Sequence, residues 1–203
     1  MAATSKDYLV GRIEKLEAKV KALYAEKDPK RSGEWADWLA DNHVLVVADF
    51  ATELARRYGA DEDLARAGAL LHDIADVKMR GRGAEHEAES LRMARELMHE
   101  AGFEARDIHL VVDDAIRYHS CHGDEHPESV EGKILSTADS LAHLKTDFYL
   151  FATRFLSPDM TFDEVKKWTL EKIERDVHRK IFFDDVRQEV MPDYEVIKEL
   201  FSR

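Results

Sequence analysis

Residues 64–73 read Leu-Ala-Arg-Ala-Gly-Ala-Leu-Leu-His-Asp, an apolar run of mostly small side chains that closes on His72 and Asp73. Ala65, Ala69, Leu70 and, beyond the pair, Ile74 recur at helical spacing, and Asp61 ahead of them is an N-cap residue. A helix is therefore predicted from Asp61 to about Ala75, with alanines and a glycine that let neighbouring helices approach closely. At its end it offers an imidazole nitrogen beside a carboxylate, a pairing that suits borderline first-row metals.

On the N-terminal side, Trp35, Leu39, Val46, Val47, Phe50 and Leu54 predict a helix from Glu34 to Tyr58, stopped by Gly59, with His43 along its buried side. On the C-terminal side, the cationic, glycine-rich loop 77–83 precedes a helix from about Ala84 to Ala101 that carries His86 in its first turn and ends at Gly102. A further helix spans about Ala105 to His119. After the polar loop 120–127, Val130 to Phe151 reads as a helix through Ile134, Leu135, Ala138, Leu141 and Leu144, with Asp139 inside it. Thr161 with Glu164 forms a capping-box pattern for another helix, and Met191-Pro192-Asp193 is expected to start a short last one. The C-terminal segments carry no motif and are expected to cover the core.

No strand-like alternation of useful length interrupts these patterns, and only four prolines and nine glycines punctuate the chain, so the fold class is all-α. Three parts are expected: an N-terminal helix and linker over 1–33, a metal-binding core over 34–151, and C-terminal helices over 152–203 that pack on it. In the first part, Leu9, Ile13, Leu16, Val20 and Leu23 form a narrow stripe. Docking of this stripe onto its own domain is favoured, a homodimer through it being the alternative, because about two heptads are short for a coiled coil.

The chain carries 30 basic and 42 acidic side chains, a net charge of −12 that repels polyanions at long range, so a nucleic-acid polymer is disfavoured as partner. A small phosphorylated substrate is compatible, because local cations and metal ions act within a Debye length. The one cysteine, Cys121, excludes an internal disulfide framework and reads as an incidental loop thiol. The N-terminus lacks the layout of a signal peptide and no stretch approaches about 20 apolar residues, so no membrane association and a cytoplasmic location are expected.

The ordered set His43, His72-Asp73, His86, His119 and Asp139 on apolar helices resembles the HD superfamily of metal-dependent phosphohydrolases over roughly residues 35–150. The resemblance implies an HD-domain-like helical bundle. It implies that His43, His72, Asp73 and Asp139 hold one metal, that His86 and His119 add a second, and that Asp73 bridges the two. The implied cofactor is one or two divalent transition-metal ions, iron or manganese favoured, with nickel, cobalt or zinc as alternatives. The implied reaction is hydrolysis of a small phosphate ester, nucleotide or dinucleotide by a metal-activated water, with Asp73 and His72 at its centre and no serine or cysteine nucleophile. Two alternatives share the ligand set: a di-iron oxygenase and a noncatalytic nucleotide-binding module. His122 or His126 is an alternative to His119. Lys78 and Arg82, five and nine residues after Asp73, are the expected substrate-binding cations, with Arg80 and Arg117 as further candidates. Asp113, Asp114 and His143 are weighed as nearby polar residues and given no role.

Overall fold

The structure is a computed structural model that describes residues 5–27, 30, 33–80, 83–156 and 160–203. Among these residues all regular structure is helical. Helix α1 (Ser5–Ala25) is followed by α2 (Gly33–Leu39), which passes through a wide π-helical turn at Ala40–Val44 into α3 (Leu45–Tyr58). Next come α4 (Glu62–Leu71), a 3₁₀ turn (Ile74–Val77), α5 (Ala84–Ala101), and the short α6 (Ala105–Ile108), continued by a second π-helical stretch, His109–Ile116. The chain ends with α7 (Val130–Lys145), α8 (Phe148–Leu156), α9 (Phe162–Arg175), a third π-helical turn (Asp176–Lys180) and α10 (Asp184–Ser202).

The core is organised around α4 and α7. In α4, Leu64, Ala65, Ala67, Gly68, Ala69, Leu70 and Leu71 are all buried, so apolar surface surrounds it and α1, α3, α5 and α7 pack against it. A Cβ at Gly68 would stand 3.5 Å from Leu135 and 3.6 Å from Val111, ordinary contact distances that measure how closely α7 and the second π-helical stretch approach. Helix α7 is buried from Ile134 through Leu144, which places Asp139 in the interior. Several caps are where the sequence puts them, although α4 ends at Leu71 rather than near Ala75. Asp61 accepts from the backbone N–H groups of Asp63 and Leu64, Gly59 and Gly102 close their helices with φ of 70° and 91°, and Thr161 and Glu164 form a reciprocal capping box. Helix α1 docks through Ile13, Leu16 and Val20 onto α4 and α5 of its own chain.

Three expectations are corrected. The helix predicted over 34–58 is interrupted at Ala40–Val44, where hydrogen bonds shift to the wider π register. The helix predicted over 130–151 ends at Lys145 because Thr146 is fully extended (φ −123°, ψ −178°), and α8 starts a new direction. Finally, Pro192 does not start a helix but lies inside α10. A proline there forgoes one backbone hydrogen bond at a cost of about 3 kcal/mol, offset by burial of Val186, Val190 and Tyr194 on the same helix.

Candidate metal centre

Three separate elements bring their polar side chains to one cleft of about 470 Å³. The π-helical turn after α2 supplies His43, the C-terminal end of α4 supplies His72 and Asp73, the middle of α7 supplies Asp139, and His143 follows one turn later. His43 Nε2 lies 3.2 Å from His72 Nε2 and 3.2 Å from Asp139 Oδ1. His72 Nε2 is 3.6 Å from Asp73 Oδ2 and 3.8 Å from Asp139 Oδ1. His143 Nε2 also comes within 3.2 Å of Asp139 Oδ1.

Hydrogen bonding sets the tautomer of His72 so that a lone pair faces this space. The carbonyl of Ala69, 2.8 Å from His72 Nδ1, can only accept, so Nδ1 donates and Nε2 is left with its lone pair toward the cleft. His119 Nδ1 likewise donates to the carbonyl of Ile116 at 2.6 Å, but its Nε2 accepts from the Ser120 hydroxyl at 3.1 Å. Asp139 Oδ1 is buried without a properly directed hydrogen bond, although two histidine nitrogens stand 3.2 Å from it. A buried carboxylate oxygen without a directed hydrogen bond, among converging imidazole nitrogens, is unfavourable as a bare cluster, and together they are the donor set of a divalent first-row ion. The residues fit such an ion. Two sets of ligand atoms lie within 4.8 Å of one another, His43–His72–Asp73 and His43–Asp139–His143.

The electrostatics keep these groups in ligand form. Burial lowers the pKa of His43, takes that of His119 to about 4 and that of His143 to about 3, so the rings stay neutral near pH 7. Burial works against ionisation of Asp73, but nearby His72, His119 and His86 outweigh it and hold the carboxyl below the usual range. For Asp139, burial is outweighed by His143, Lys180 and His43.

His86 and His119 line the same cleft but stand outside the two converging sets. His86 Nε2 is 3.1 Å from Asp76 Oδ1, which also accepts from the Trp35 indole at 3.1 Å. Burial and the neighbouring Asp73 push the pKa of Asp76 up to about 6, against the opposing pull of His86 and Trp35. Of the expected substrate-binding cations, Lys78 pairs with the half-buried Glu89 of α5 at 2.8 Å and does not line the cleft. Arg82 lies outside the described residues. Arg80 bonds the carbonyl of Phe155 and covers its ring, while Arg117 lines the cleft 3.6 Å from Asp113. Asp113 binds Arg95, and Asp114 accepts from the N–H groups of Glu128 and Ser129, so both carboxylates brace structure. Cys121 is buried with Sγ 3.3 Å from Ser136 Oγ.

Sequence reasoning missed the C-terminal contribution. Lys180 is buried and forms an ion pair with Asp139 Oδ2. Behind it, Asp176 is fully buried, 3.1 Å from His143 Nδ1 and from Lys172 Nζ, and accepts from the Tyr149 hydroxyl at 2.5 Å. The signal in the sequence was Lys172, Asp176 and Lys180 at successive steps of four, which place them along one side of a helix.

The profile of the HD domain matches residues 40–144. Among curated proteins, Ribonuclease Y of Sulfurovum sp. is 34% identical over 100 residues, 49% of this chain and 18% of that protein. Ribonuclease Y of Bacillus subtilis is also 34% identical over 100 residues, covering 49% of this chain and 17% of its own length. The match thus spans under a fifth of these relatives. Among solved structures, Bacillus subtilis YpgQ superposes with a TM-score of 0.68 at 17% identity, over 96% of this chain and 93% of that one, which is a likeness of fold. The matched segment contains His43, the His72-Asp73 pair, His86, His119 and Asp139, and the chain belongs to the HD domain family, a superfamily of metal-dependent phosphohydrolases.

Proposed function

We propose that this chain is a metal-dependent phosphohydrolase acting on a small phosphate ester or nucleotide. The observation that carries the reading is the convergence of His43, His72, Asp73 and Asp139 from three separate elements onto one cleft. These four residues would hold the first ion, and His86 and His119 would serve a second, with Asp73 between the two sets. A divalent ion in such a site lowers the pKa of a water toward neutrality and offsets charge on a phosphoryl oxygen. The Ala69 carbonyl fixes the His72 ring with its Nε2 lone pair toward the cleft, and the Ile116 carbonyl and the Ser120 hydroxyl together fix the ring of His119. Lys180 fixes Asp139 by pairing with Oδ2, which leaves Oδ1 as the oxygen toward the histidines.

The preference for a small substrate rests on the net charge of −12 and on the size of the cleft. A second reading, a phosphodiester in RNA, is favoured by the likeness to the HD region of Ribonuclease Y. Phosphate release from a panel of nucleotides and monoesters, run beside cleavage of a short labelled RNA on the same manganese-loaded sample, separates them. Turnover of the small esters supports the proposal; turnover of RNA alone replaces it with the second reading. Oxygen consumption dependent on iron, with neither hydrolysis, would favour the oxygenase alternative.

A further inference from the structure

Helix α9 turns one face into the cleft: Trp168, Lys172 and Arg175, at steps of four and three, all line it. Lys180 joins them from the following turn, and Arg117 lines the cleft from another segment. Three of these four cations are committed. Lys172 lies 3.1 Å from Asp176, Lys180 is bonded to Asp139, and Arg117 faces Asp113 at 3.6 Å. Arg175 differs: it has no hydrogen-bond or ion-pair partner among the described residues, and its Nε is buried.

A guanidinium with a buried N–H left unpaired loses hydration without compensation, a cost that a bound anion removes. The surroundings favour such an anion. His122, on the cleft wall, has its pKa lowered by burial and then by Arg175, Lys180 and Lys172, with Glu87 opposing, so Arg175 is the strongest of three cations that act on that wall and the one without a carboxylate partner among the described residues. A planar guanidinium matches two phosphoryl oxygens better than a point charge does.

We infer that Arg175 is the anion receptor of this cleft, binding a phosphoryl oxygen of the substrate from α9. The assignment deepens the proposed function and rests on it for the identity of the anion. It moves the substrate contact from the loop after α4, where Lys78 is engaged by Glu89, to the C-terminal helices. Arg175 is a specificity-determining residue in this account, not a metal ligand.

The test is calorimetric titration of inorganic phosphate into the manganese-loaded full-length protein, with elemental analysis of each sample. Arg175→Gln is expected to weaken phosphate binding roughly ten- to hundredfold, the loss of a charge-assisted hydrogen bond, with metal content unchanged. Arg175→Lys should bind with intermediate affinity, and it carries the test if the glutamine variant fails to fold. Arg106→Gln, an equal charge change at an exposed site outside the cleft, should match the parent. Equal phosphate affinity in parent and Arg175→Gln overturns the assignment, as does a parent that binds no phosphate. Phosphate binding that depends on Arg175 in a protein that hydrolyses no ester upholds the receptor and sinks the hydrolase reading alone.

Discussion

Lys180 Nζ is bonded to Asp139 Oδ2 inside the protein, with both side chains almost fully buried, so the C-terminal segment determines which oxygen of Asp139 is left for the histidines. Burial alone would discharge Lys180, but Asp139 and Asp176 outweigh it and raise its pKa, and the pair is held ionised. Removing one partner leaves a buried charge alone. Lys180→Met is expected to lower stability by about 3–5 kcal/mol and to reduce metal retention by freeing the Asp139 carboxylate to rotate. Denaturant titration and elemental analysis of the same variant check both. A folded Lys180→Met protein with parental stability would show that the pair contributes nothing.

Within the proposed two-ion site, Asp73→Ala should reduce turnover more than His86→Ala or His119→Ala, because Asp73 faces both sets of histidines whereas each of the others serves one. The comparison is made on kcat with helical circular dichroism as the folding control. Near-parental turnover in a folded Asp73→Ala protein removes the bridging role.

Gly132 sits where α7 begins, and a Cβ there would fall 2.5 Å from Pro127 Cβ and 3.1 Å from the Ala115 backbone. Neither neighbour is the end of a flexible side chain. Gly132→Ala should therefore cost about 1–3 kcal/mol, read as a lowered thermal midpoint, despite alanine being the better helix former. An unchanged or raised midpoint would mean the 127–132 segment shifts freely.

The buried histidines predict the acid response of the metal-free protein. His119 and His143 titrate at about 4 and about 3 in the folded chain, while an unfolded histidine titrates near 6.5. As pH falls below about 6.5 the unfolded chain binds protons that the folded chain refuses, so stability declines until the folded pKa values are reached. Urea midpoints of chelated protein should fall between about pH 7 and pH 5. Asp76, raised to about 6, opposes this trend, so the measurement is made on Asp76→Asn, where a flat profile would show that these rings are not held neutral.

Much of this was legible from pattern. Asp61, Gly59, Gly102 and the Thr161–Glu164 box mark helix ends through chemistry confined to a few neighbouring residues, and the periodicity around Leu64–Leu71 identifies α4 and the His72-Asp73 pair at its end. The π-helical turns escaped, since apolar spacing hardly distinguishes a five-residue widening from a continuous helix. Those turns carry His43, Asp176 and Lys180. The roles of Lys180 and Arg175 depend on which cation finds a carboxylate across the fold, a pairing between residues far apart in the chain that local pattern does not encode. Lys78 illustrates the converse, being close to Asp73 in sequence and yet engaged by Glu89.

The most direct measurement is phosphate release from small esters and nucleotides by exhaustively chelated protein, before and after manganese is restored. Release that is absent from the chelated protein, returns with the metal, and stays absent in folded Asp139→Ala is the predicted result. Full activity in the metal-free protein, or no release from any ester with any of manganese, iron, cobalt, nickel or zinc, would contradict it.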